Sequence, residues 1–386
     1  MNSERNKIPL KLKFFRTKNT GFLTFTDTLI NIIKPSKKFS GVPKKILFIR
    51  NDKIGDALVT VPVLRDLKLN YPEIQIHVLD SEVNHFIFSG LDFIDKLYTF
   101  TGDNRNITRN AIKKENYDAV IDLVGVSKKL LFGFRRISKF LAGSRTFMLS
   151  WVFDYYAKTN WVAESDNKLM SFKIKDFLKD CFGFDFTKED KALPYNPALM
   201  QQNKNKPKEF DIMVHLGTSE LRKLSFEAEE RLIESLKNFK LLITDGSGTK
   251  RFGSYKEKYA DNPNIKFKLY PHLLDTAEDA ASSRLILCYD GGQAHFMSQF
   301  AKTIVIIGTV SASQWAPFEF EEYKNIKTWR NGMRADMSTG KLGHIVLYYP
   351  IWCTPCFDIG CKTKPCLNNL ETDQIFEIIK NNLNNA

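Results

Sequence analysis

Short apolar runs bounded by charged or turn residues recur along the chain, and between them apolar positions fall at helical spacing. Lys44-Lys45-Ile46-Leu47-Phe48-Ile49-Arg50 opens the series, and a continuous apolar run with basic flanks predicts a parallel strand buried on both faces. Asn51-Asp52-Lys53-Ile54-Gly55-Asp56 supplies turn chemistry. Ala57, Leu58, Val61, Leu64, Leu67 and Leu69 then form the stripe of a helix, in which Pro62 must sit in the first turn or make a kink. Ile74–Leu79, Lys96–Phe100 and Ala119–Val124 are predicted as further strands with helical patterns between them. This alternation predicts a parallel sheet covered on both faces.

A polar, proline-containing stretch from Pro194 to Lys208 interrupts the pattern. Strands predicted at Ile212–Leu216, Leu241–Thr244, Ile265–Leu269, Leu285–Tyr289 and Ile304–Ile307 restart it. The division is therefore an N-terminal extension (1–43), a first α/β domain (44–200), a linker (201–210), a second α/β domain (211–350) and a cysteine-rich segment with a C-terminal helix (351–386). The fold class is α/β: two Rossmann-like halves facing across a cleft, with ligands expected at the carboxyl ends of their strands.

With 43% hydrophobic residues in 386, the chain is neither disordered nor a disulfide scaffold. No run nears the roughly 18 apolar residues of a membrane-spanning helix, and no secretory signal opens the chain, so a cytoplasmic location is expected. The net charge of +13 changes the picture only at one end, because eleven of the basic residues and just two acids lie within residues 1–45. Their interleaving with Leu10, Leu12, Phe14, Phe15, Phe22 and Phe25 suits peripheral docking on an anionic membrane surface, at roughly 1 kcal/mol per cation. The alternative is an arm packed on the body with its charges solvated. Nucleic acid is not expected as a partner, since no RNA-binding motif accompanies the charge.

Three loops at strand ends carry candidate chemistry. In the first, Gly55 permits a sharp turn and Asp56 falls at the helix entry, where it would either cap the helix or present a carboxylate as a general base. In the second, Thr218, Ser219, Arg222 and Lys223 follow His215-Leu216-Gly217, making either a diphosphate cradle or a solvated helix start. In the third, a buried strand ends in Asp290-Gly291-Gly292-Gln293-Ala294-His295, whose glycines would let phosphate approach free helix amides, or would serve only the turn. Thr244-Asp245-Gly246-Ser247-Gly248 lacks dinucleotide spacing and no Walker loop occurs, which disfavours a dehydrogenase or P-loop ATPase.

In this order the loops resemble glycosyltransferase family 9, the ADP-heptose:lipopolysaccharide heptosyltransferases. The resemblance spans about residues 44–370. It rests on the opening strand with Gly55-Asp56 and Thr60-Val61-Pro62, on Tyr117–Leu123, on His215–Thr218, on Asp290–His295, and on Gly308 through Trp315-Ala316-Pro317. It implies a GT-B fold with acceptor on the first half and nucleotide-sugar on the second, and an inverting transfer that requires no cofactor. By position, Asp56 would be the general base, Thr218 and Arg222 would hold the diphosphate, Asp290 would contact the donor sugar, and the Gly292–His295 helix start would bind phosphate. The implied partners are a nucleotide-diphosphate sugar, with heptose the family expectation, and a lipopolysaccharide-core or other lipid-linked glycan acceptor. Departures are Arg222 for the family's Lys, Leu224-Ser225 for its Trp-Pro, Gly291 for its Ser or Thr, and Lys250-Arg251 where an acid is common near the ribose. Two rival readings are a nucleotide-sugar epimerase of the same architecture and a catalytically silent binding protein.

Cys353, Cys356, Cys361 and Cys366 stand at spacings that could close a structural zinc site, against buried free thiols or a redox-labile pair. Cys181 and Cys288 lie on apolar segments and read as core.

Overall fold

The computed structural model describes residues 35–101, 104–124, 133–143, 150–156, 168–188, 197–317, 323–328, 332–338, 340, 342–351, 353–354, 361 and 363–384. The first half is a six-stranded sheet of β1 (Lys45–Ile49), β2 (Gln75–Ser81), β3 (Lys96–Phe100), β4 (Tyr117–Asp122), β5 (Ser138–Gly143) and β6 (Tyr155–Tyr156). Its order is β3-β2-β1-β4-β5-β6, all parallel. The first four strands match the apolar runs. The last two escaped the pattern because β5 is a single mixed stretch ending in glycine and β6 is two residues long.

The second half is an eight-stranded sheet of β7 (Phe210–His215), β8 (Leu241–Asp245), β9 (Ile265–Leu269), β10 (Ser283–Tyr289), β11 (Lys302–Ile307), β12 (Tyr323–Thr328), β13 (Arg334–Ser338) and β14 (Ile345–Tyr348), in the order β12-β13-β14-β11-β10-β7-β8-β9. Strands β7 to β11 are those the sequence predicts. Strands β12 and β13 pair antiparallel at the edge, where polar alternation replaces the continuous apolar run.

Helix α1 (Ile54–Asn70) is buried at every position from Ala57 to Leu64. The first half's sheet lies beneath it, α4 (Met170–Phe182) lies beside it, and α9 (Gly292–Met297) meets it from the second half. Hence Ala57–Leu64, Thr60 apart, is apolar on every face rather than on one stripe. Pro62 lies well inside this helix, not in its first turn. Helix α5 (Pro197–Asn203) occupies the start of the expected linker. Residues 35–43 run along the first half, with Phe39 edge-on to Phe140 at 5.3 Å; residues 1–34 of the basic extension lie outside the described residues. The C-terminal helix α12 (Thr372–Asn384) packs on α6 (Phe226–Leu236), and the Leu383 carbonyl accepts from Arg284 Nη2 at 2.6 Å. Among the described residues no helix is long and apolar enough to cross a membrane.

Candidate active site

The turns after β1 and β10 meet at the carboxyl ends of the two sheets. A side chain at Gly292 would lie 2.5 Å from Ile54 Cγ2 and 3.0 Å from the Gly55 amide, so this approach admits only glycine. Beside the contact opens a cavity of about 190 Å³, lined by Lys53, Gly55 and Asp56 from the first half and by Arg222, Asp290, Gly291, Gly292, His295, Val310 and Trp315 from the second.

Asp56 does not cap α1. The residue at the cap position is Lys53, and Asp56 sits within the first turn, which leaves its carboxylate free of backbone amides and directed at the cavity. Burial pushes its carboxyl up to about 6, against the pull of Arg50, Lys53 and Arg222. The helix dipole alone would act the other way. Its side chain keeps 26% exposure, and Arg50 Nη1 stands 4.0 Å away, so no direct hydrogen bond fixes it.

Opposite lies Arg222, whose Nη1 donates to Asp290 Oδ2 at 2.9 Å. Burial raises the Asp290 carboxyl, while Arg222 and Lys53 lower it. Gly291 adopts φ 153°, and a side chain there would meet the end of the Gln293 side chain, so glycine suits this turn. His295 is buried and burial drops its imidazole to about 4, so it is neutral at physiological pH. Among the described residues, its Nδ1 and the Trp315 indole N–H are buried without a hydrogen-bond partner.

Four residues of the sequence reading stand outside the cavity wall. Thr218 Oγ1 donates to the Asp290 carbonyl at 3.2 Å, supporting that turn from behind. Ser219 is exposed, just before the short helical turn Glu220–Arg222. Gln293 donates back to the Tyr289 carbonyl at 3.1 Å. Lys223 is fully buried, with its ammonium 3.3 Å from Glu220 Oε1, so a cradle role for it is not what the fold supplies. The Leu224-Ser225 departure is structural: Leu224 is core, and Ser225 caps α6 by accepting from the Ala228 amide at 3.2 Å. Arg251, in α7 (Lys250–Lys258), turns inward to Glu229 and Glu220 at 3.2 and 2.7 Å, while Lys250 is exposed.

Cys356 lies outside the described residues; Cys353 and Cys361 are partly exposed and Cys366 is buried, and no group of three metal-ligating side chains occurs among the described residues. Cys181 and Cys288 are core residues. The cysteine-bearing segment does reach the second loop, since Lys364 Nζ donates to the carbonyls of Glu220 and Lys223, both at 3.1 Å.

Sequence reasoning missed Lys53, Val310 and the buried Arg50. Arg50 ends an otherwise apolar strand at the cleft, and a charge placed there is the signal that was available.

No family model matches the chain. It is 25% identical over 366 residues to lipopolysaccharide heptosyltransferase 1 of Campylobacter coli, an alignment covering 87% of this chain and 98% of that protein. Its fold is similar to that of the E. coli heptosyltransferase WaaC with ADP, at TM-score 0.62 and 16% identity over 88% of this chain and 99% of that one. It is also similar to E. coli ADP-heptose lipopolysaccharide heptosyltransferase II, at TM-score 0.61 and 14% identity over 88% and 99%. A family 9 glycosyl transferase from Veillonella parvula superposes at TM-score 0.61 with 13% identity over 89% and 98%. The two-sheet GT-B-like architecture is common to them.

Proposed function

We propose that this chain is a heptosyltransferase of the glycosyltransferase family 9 kind, an inverting enzyme that moves a sugar from a nucleotide diphosphate onto a hydroxyl of a lipopolysaccharide-core or other lipid-linked glycan. The observation that carries this reading is a solvent-reachable carboxylate, Asp56, facing the Arg222–Asp290 pair across one cavity at the junction of the two sheets. Asp56 takes the proton of the acceptor hydroxyl as its oxygen attacks the anomeric carbon. The bond from that carbon to the diphosphate breaks on the opposite face, and the configuration inverts. A carboxyl raised to about 6 is a stronger base than an ordinary one and still ionised at neutral pH. The negative charge that grows on the departing diphosphate falls beside Arg222 and Lys53, two cations that line the cavity and can do the work of a bound metal ion. Heptose and an adenine nucleotide are the donor proposed by relationship, and contact with the inner face of a membrane through the basic extension is proposed with them.

The test is thermal unfolding against ADP-, GDP-, UDP- and CMP-sugars, followed by transfer assays. A ligand at about a hundred times its Kd adds roughly 2.7 kcal/mol, a rise of several degrees. Selective stabilisation by ADP-heptose supports the proposed donor. Another nucleotide replaces that donor and keeps the reaction type. A protein stabilised by none is not a glycosyltransferase of this kind.

A further inference from the structure

The Arg50 guanidinium is buried behind the cavity and bonded to three groups around the Asp56 turn. Its Nε donates to Thr60 Oγ1 at 2.9 Å, and that hydroxyl donates to the Asp56 carbonyl at 2.8 Å. Its Nη1 donates to Asp52 Oδ2 at 3.1 Å and to the Leu123 carbonyl, at the end of β4, at 3.2 Å. The same Nη1 lies 4.0 Å from Asp56 Oδ1. One cation thus serves two carboxylates four residues apart, bonded to the first and only adjacent to the second. Asp52 carries a further peculiarity, a buried Oδ1 without a hydrogen-bond partner among the described residues.

We infer that Arg50 and Asp52 form a positioning pair for Asp56: Arg50 fixes the turn and keeps the Asp56 carboxylate charged in a buried place, while Asp52 holds the guanidinium back from a direct bond that would tie up the base. A structural turn requires Arg50 to bond the loop, the helix and β4. It does not require the cation to be divided between two carboxylates. The charged and titratable groups around Asp56 are Arg50, Asp52 and Lys53 on its own turn and Arg222, Asp290 and His295 from the second half; the pair acts with Lys53 and the second half's groups unchanged. The inference rests on the reading of Asp56 as base, and the test separates them.

Protein labelled with ¹³Cγ-aspartate is titrated by NMR, the Asp56 signal being assigned by its loss in Asp56→Asn, and transfer is measured over the same pH range. In Asp52→Asn, which keeps an acceptor for Arg50, the Asp56 midpoint should fall by about 0.5–1 pH unit. In Arg50→Gln it should rise by about one unit or more. The acidic limb of transfer should follow in each case. Unchanged midpoints in Asp52→Asn and in a folded Arg50→Gln overturn the inference; if Arg50→Gln does not fold, Asp52→Asn decides alone. Midpoints that move while the limb of transfer stays still uphold the pair and remove Asp56 as the base.

Discussion

Asp56 and Asp290 occupy matching places: each follows the central strand of its sheet, lines the same cavity, and has its carboxyl raised by burial. Their handling differs. Asp290 is nearly inaccessible and bonded to Arg222 at 2.9 Å, whereas Asp56 is a quarter exposed with Arg50 at 4.0 Å and no direct bond. A carboxylate locked to a cation holds geometry. One kept charged at a distance can exchange a proton. The difference suits the second half's acid to holding geometry and is consistent with the base role proposed for the first half's.

The largest effect that would sharpen this contrast is on Asp56→Asn, which should lower kcat by about 10²–10⁴-fold in a transfer assay. The same change should stabilise the fold at pH 8 by about 1–3 kcal/mol. The raised carboxyl contributes stability below its unfolded value of 3.8 and loses it as pH rises through about 6, so the gain should vanish near pH 4 in denaturant titrations. An equal gain over the wild type at both pH values would break the comparison. Next, Arg222→Met should reduce kcat/KM for donor by about 10–100-fold and destabilise by leaving Asp290 unpaired. Adding Asp290→Asn should recover stability in melts while transfer stays low; recovered transfer would contradict the architectural role. Gly292→Ala should cost about 1–3 kcal/mol by driving a methyl into Ile54, with part regained on adding Ile54→Ala. Smallest, Lys364→Met should raise donor KM by roughly two- to fivefold at unchanged kcat, by loosening the loop that carries Arg222.

Much of the fold was legible because a fully buried parallel strand leaves an unbroken apolar run, as Ile46–Ile49 and Leu285–Tyr289 do. Strands β5, β6 and the edge pair β12–β13 were not, since β5 opens on polar residues, β6 is only two residues long, and β12 and β13 carry polar residues through their runs. Within the site, Asp56, Arg222 and Asp290 could be picked from motif and loop position. Lys223 could not be separated from Arg222 by type, and burial alone sent one inward and the other to the cavity. The extension at 1–34 and Cys356 lie outside what the structure describes.

By itself, then, the sequence determined two parallel α/β halves, the loops at their carboxyl ends, and an acid and an arginine among those loops, because periodicity and turn chemistry are local properties. Only the tertiary structure decided that Gly55 and Gly292 touch, that Asp56 sits inside its helix rather than capping it, and that Arg50 stands behind it divided between two carboxylates. Those outcomes depend on distances between residues far apart in the chain, and on how much water the packed halves exclude.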